Sequence, residues 1–168
     1  TTATQTWGIR ATAQRNVKIF QTEVRNVSAN TTTDGIYLDQ TVGLSEVSRN
    51  VVHDIRNNST SSTTGVTGIR SNHFNNASFT GIDNTVKNNF VYNITSAHTG
   101  SATATRTLKG IYAQSSGGGF VTNFHNIHNN TVLIDGSASP NLSNVCFEHG
   151  TTSGPIYNVR NNIFANTT

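Results

Sequence analysis

Val86-Lys87-Asn88-Asn89-Phe90-Val91-Tyr92-Asn93-Ile94 decides how this chain folds. Its pattern is apolar, polar, Asn-Asn, then apolar residues with an Asn between them. The run is too short for a stable helix, and it is rich in β-branched and aromatic residues. It also recurs. Ile19 to Val24, Val47 to Val52, Ile127 to Val132 and Val159 to Phe164 repeat its first six positions. The first position is β-branched in every copy. The fourth is Thr22, Asn50, Asn89, Asn130 and Asn162. The sixth is Val24, Val52, Val91, Val132 and Phe164. The eighth reads Asn26, Asp54 and Asn93, then breaks at Ile134, then returns at Asn166.

A second block precedes each copy. It reads Gly8-Ile9-Arg10, Gly35-Ile36-Tyr37, Gly68-Ile69-Arg70 and Gly110-Ile111-Tyr112, with Val145-Cys146-Phe147 in its place in the fifth. The stretches between copies, Ser28 to Asp34, Arg56 to Thr67, Thr95 to Lys109 and Asp135 to Asn144, are polar and uneven in length. Their composition is that of loops.

One copy cannot bury its own apolar positions, whereas stacked copies can. The reading is therefore a single all-β domain over residues 1–168. It is a parallel β-helix of about five coils, each with two or three short strands and rising about 4.8 Å. Variable loops are tolerated because lengthening a loop costs little entropy. Asn suits the corners, since it accepts left-handed backbone angles, and stacked Asn side chains can bond to their copies above and below. Thr22, Asn50, Asn89, Asn130 and Asn162 are the expected ladder. The sixth-position column and the column Ile19, Val47, Val86, Ile127 and Val159 are expected inside. A β-sandwich is the weaker alternative, because it wants more regular strand spacing.

Composition agrees. The 168 residues include 27 Thr, 23 Asn, 16 Ser and 14 Gly, with 33% hydrophobic and 11% charged residues. Such a chain is no helical bundle or coiled coil. No apolar run approaches the ~20 residues of a membrane helix. The net charge of +3 rests on dispersed residues, Arg10, Lys18, Arg49, Lys87 and Arg160 among them. A nucleic-acid partner is not expected. The absence of Met and the look of both termini suggest an excerpt of a longer protein.

Gly35-Ile36-Tyr37-Leu38, Val86 to Ile94, Asn129 to Ser137 and Val159 to Asn166 resemble repeats of large secreted surface proteins of Bacteroidota. The resemblance implies a right-handed parallel β-helix, a place outside the cell, and a role as adhesin, stalk or filament. Neither terminus reads as a polar cap, so neighbouring coils, or further copies end to end, are the expected partners, with surface glycans as a further one. Function is the least specific of these implications.

The same architecture hosts polysaccharide lyases and hydrolases, so an enzyme must be sought in residues. Asp39 with Arg70 is the best lyase-like neighbourhood; solvated surface charge is the plainer reading. No pair of acids falls at matching positions of adjacent coils, as a glycosidase needs. His125 and His128 are read as strand and corner histidines rather than metal ligands. Cys146 reads as a small buried apolar residue. Gly117-Gly118-Gly119 precedes an expected strand at Phe120-Val121 and no helix, so it is read as no phosphate loop, and the Thr-x-Thr runs at Thr2 to Thr6 and Thr103 to Thr107 are not repeated coil by coil. No catalytic residue, metal or cofactor is expected. Arg10, Tyr37, Arg70 and Tyr112 share one column. They either face a glycan or stack on each other as cation–π pairs.

Overall fold

The structure is a computed structural model that describes residues 5–60, 64–74, 83–97, 107–116, 123–134, 143–150 and 155–167. The chain winds through fifteen strands in five coils of three. The first coil holds β1 (Gln5–Thr12), β2 (Lys18–Phe20) and β3 (Glu23–Ala29). The second holds β4 (Thr32–Thr41), β5 (Leu44–Ser48) and β6 (Val51–Asn57). The third holds β7 (Val66–Phe74), β8 (Asp83–Lys87) and β9 (Phe90–Ser96). The fourth holds β10 (Thr107–Ser116), β11 (Asn123–His128) and β12 (Thr131–Ile134). The fifth holds β13 (Ser143–His149), β14 (Pro155–Arg160) and β15 (Ile163–Asn166).

Equivalent strands pair in parallel across coils. Sheet I runs β1-β4-β7-β10-β13, sheet II β2-β5-β8-β11-β14 and sheet III β3-β6-β9-β12-β15. The protein is a parallel β-helix. Strands claim more of the chain than the loop reading allowed: β3 reaches Ala29, and β4 begins at Thr32.

Inward columns follow the repeat. Val47, Val86 and Ile127 are fully buried, as are Val52, Val91 and Val132 and the sheet I residues Ile36, Ile69 and Ile111. Burying each such side chain contributes roughly 1.5–3 kcal/mol. The terminal coils depart from expectation. Val159 is 41% and Phe164 38% exposed, and Ile19 is half-buried, because each lacks a covering coil on one side.

The eighth position also has a cause. Asn26, Asp54 and Asn93 adopt left-handed angles (φ 57°, 54° and 50°), each an extra residue that bends its strand. Val27, Ile55 and Ile94 therefore turn inward one place later. The fourth coil omits the extra residue, so Ile134 itself is buried there. The apparent break in the repeat keeps the core intact.

The corner between sheets II and III is always two residues long: Gln21-Thr22, Arg49-Asn50, Asn88-Asn89, Asn129-Asn130 and Asn161-Asn162. The other two connections vary in length. At the constant corner the first residue of each pair is left-handed (φ 52° to 57°), and Gln21 and Arg49 manage this as well as Asn. The second residue keeps ordinary angles, so its side chain has a different task.

Candidate functional site

That task is hydrogen bonding along the stack. The backbone N–H of Asn50 donates to Asn89 Oδ1 at 3.0 Å, and so does Asn50 Nδ2. Asn89 makes the same two bonds to Asn130, and Asn130 to Asn162, at 2.9–3.0 Å. Each amide also donates back to the first-position carbonyl of the preceding coil: Asn50 to Ile19, Asn89 to Val47, Asn130 to Val86 and Asn162 to Ile127. Thr22 begins the series through its backbone N–H, which donates to Asn50 Oδ1. The interior rungs are almost fully buried, so these bonds satisfy polar atoms that would otherwise be costly to bury.

A glycine column supports the opposite wall. A Cβ on Gly68 would sit 2.4 Å from Val91 Cγ1 and 2.7 Å from the carbonyl oxygen of Gly110. Gly8, Gly35 and Gly110 are equally tight. In the last coil Cys146 stands in that column, between Val145 and Phe147, which pair with Lys109 and Ile111. It is buried, its Sγ lies 3.2 Å from the Ala165 carbonyl oxygen, and burial pushes its thiol pKa up.

On sheet I, Arg10, Tyr37, Arg70 and Tyr112 are register partners, with Glu148 after them. Their groups interleave. The Arg10 guanidinium lies 4.3 Å from the Trp7 ring and 5.6 Å from Tyr37, and Arg70 lies 4.7 Å from Tyr37 and 5.4 Å from Tyr112. Lys109 Nζ sits 3.9 Å from the Tyr112 ring and 2.6 Å from Glu148. Arg10 pairs with Asp39, which also accepts the Tyr37 hydroxyl at 2.9 Å. Arg70 faces Asp34 at 3.9 Å. The suspected Asp39/Arg70 pair is thus split between different partners, because Arg10 of the neighbouring coil reaches Asp39.

Asp34 is fully buried, with Arg70 as its ion-pair partner and the Thr67 side chain beside it. Burial pushes its pKa up to about 6 against the pull of Arg70. A recess of about 170 Å³ opens beside it, with Thr67, Arg70, Lys109 and Tyr112 in its wall.

The histidines are more deeply placed than a surface reading allows. His125 is fully buried in the junction of sheets I and II against His73, itself buried. His53 lies between Glu23 Oε1 at 2.9 Å and Asp54 Oδ2 at 2.8 Å and stacks on Tyr92. The His53 hydrogen bond holds the Glu23 carboxyl below its ordinary value, helped by Arg25. Glu23 and Asp54 do not share a column, yet one imidazole joins them. Among the described residues, no three His, Cys, Asp or Glu side chains gather as a metal site.

Among the described residues, Tyr37 is buried and Tyr157 packs on His125, while Phe20 (57%), Phe90 (42%) and Phe164 (38%) are exposed. His98, Gly117 to Gly119, Thr2, Thr4, Thr103 and Thr105 lie outside the described residues.

No protein-family model, curated protein or solved structure matches this chain.

Proposed function

We propose that the chain is a section of an extracellular structural or adhesive solenoid, a stalk or filament. In this reading its stacking continues at the ends through further coils or further copies. One observation carries the reading. The core columns, sealed at every interior coil, stay open at the last one, where Val159 and Phe164 are exposed. A head-to-tail contact between unlike ends does not close and so gives a fibre. Asn162 can extend the ladder, since its backbone N–H and second amide hydrogen face the next position, where Thr22 of a following copy offers a hydroxyl oxygen. Light scattering and electron microscopy of the 168-residue protein test this. Concentration-dependent end-to-end assembly is expected. A monomer whose end coils resist hydrogen exchange as well as the middle ones overturns it.

The polysaccharide-cleaving alternative has a specific foothold, the buried Asp34 paired with Arg70, whose side chain lines an open recess. The Arg/Tyr column argues against it, because every cation there is already engaged by a ring and a carboxylate. Turnover of an acidic polysaccharide, with Ca²⁺ added, decides between them.

A further inference from the structure

Lys18, Arg49, Lys87 and Arg160 look scattered along the chain, and folding gathers them. The register of sheet II sets Phe20, Ser48, Lys87, His128 and Arg160 in one outward column. Lys18 pairs with Glu46 in the next column, and Arg49 stands at the adjoining corner. Lys18, Arg49 and Lys87 line a shallow recess of about 250 Å³ with Phe20, Glu46 and Ser48. Within this strip Glu46 is the one carboxylate among the described residues, 3.1 Å from Lys87 Nζ. Asp83 lies on the same sheet, two columns away, in register with Leu44.

The charge count gives the strip its meaning. Four cations against one carboxylate leave an excess of three, which equals the formal net charge of the whole chain. The other seven cations are matched by seven acids. Lys87, His128 and Arg160 follow one another on three successive strands with no acid between them. Burial, then Arg160 and Lys87, hold the His128 pKa below its ordinary value. With His128 uncharged, Lys87 and Arg160 are the two cations of the column, and an anion laid along it meets both. Exposed amides at Gln21, Asn88, Asn129 and Asn161 run beside it, and exposed Phe20 and Phe90 flank the corner.

We propose that this strip binds a linear acidic polysaccharide lying along the solenoid axis. Its carboxylate or sulfate groups meet the cationic column, and a sugar ring rests on Phe20 at the recess. The proposal rests on the adhesive reading above and supplies its ligand class. Columns advance about 4.8 Å per coil, so Lys87 and Arg160, two coils apart, lie about 10 Å apart along the axis, which alternate acidic groups of a polymer carrying one charge per sugar can meet. Single-strand sites stack successive bases on aromatic rings, whereas Phe20 and Phe90 lie on different sheets.

Affinity electrophoresis through gels containing polygalacturonate, dextran sulfate or neutral dextran tests the proposal. A labelled single-stranded oligonucleotide serves as competitor. Retardation by at least one acidic polymer and none by dextran is expected, weakening as salt rises. Lys87→Glu/Arg160→Glu should lose tenfold or more in apparent affinity, and Lys87→Gln/Arg160→Gln part of that. Arg15→Glu/Arg56→Glu, with the same change in net charge elsewhere, should stay within twofold of the parent. Unfolding midpoints check that all three variants fold. No retardation by either acidic polymer, equal loss in the control pair, or binding to the oligonucleotide alone overturns the proposal. Assembly is read separately by light scattering. A protein that assembles without being retarded fails here alone; one that is retarded but stays monomeric fails only the end-to-end reading.

Discussion

His73 and His125 lie ring on ring, with centroids 4.2 Å apart and planes 14° from parallel. His125 Nε2 meets the Gln114 carbonyl oxygen at 2.9 Å, while His125 Nδ1 and both nitrogens of His73 have no hydrogen-bond partner. Tyr157 stacks on His125 at 5.3 Å, and burial pushes its hydroxyl pKa up to about 12. Two imidazoles this close and this dry are stable only without charge. Burial holds the His73 pKa down at about 4. Burial, with the neighbouring His73, holds His125 at about 3.

The pair makes the fold acid-sensitive. The unfolded chain takes up protons on these rings from about pH 6.5 downward, and the folded chain refuses them until about pH 4. Stability is therefore complete above pH 6.5 and lost as pH falls toward 4. The loss is on the order of 3 kcal/mol for His73 alone. Urea midpoints at about pH 7.5, 5.5 and 4.5 should fall steeply in the parent and less steeply in His73→Phe. Equal slopes would sink the assignment.

Asp34 works in the opposite sense. Its folded pKa of about 6 lies above its unfolded value of 3.8, so ionising it costs stability as pH rises through 6. Asp34→Asn should raise stability at pH 8 by on the order of 1–3 kcal/mol. The gain should vanish near pH 4. A loss at pH 8 would mean that Arg70 needs the carboxylate more than the interior resists it.

Ladder substitutions should depend on position. Asn89→Ala removes four hydrogen bonds and leaves the Asn50 N–H buried without a partner. A cost of about 3 kcal/mol or more is expected. Asn162→Ala, at the open end, removes three bonds in a less buried setting and should cost about half as much. Chemical denaturation of both variants gives the comparison, and equal costs would contradict a buried, cooperative ladder.

Gly68→Ala should be severe, about 3 kcal/mol or worse, because the new methyl meets both Val91 and the Gly110 backbone. Gly68→Ala/Val91→Ala should recover part of the loss, since the side-chain clash goes and the backbone one remains. Thermal unfolding of the two variants checks it.

Much of this fold is legible in the chain because each coil repeats one pattern at its tight corner, a β-branched residue, then Asn (Thr22 in the first coil) three places on and Val or Phe two further. Which corner residue turns left-handed is not legible. Asn88 and Asn89 are chemically identical, and Gln21 and Arg49 take the turning role without being Asn. Ile134 looked like an error in the repeat because losing one bulge residue shifts the frame. The cationic strip and the histidine pair stayed hidden for a related reason. Lys87, His128 and Arg160 share the second position of the repeat, but that column opens with Phe20 and Ser48, and Lys18 and Arg49 stand outside it, so their gathering shows only in the register. His73 and His125 belong to different sheets and meet only where the chain turns between them.

Successive ladder residues are 28, 39, 41 and 32 positions apart, yet each step makes the same bonds at the same length. The molecule therefore measures distance in coils and not in residues. Segments added at the two uneven connections widen it and change what it displays, but its reach stays the same. Proteins built on this corner can diversify their flanks freely while keeping a calibrated length, as a ruler keeps its scale whatever is written in the margin.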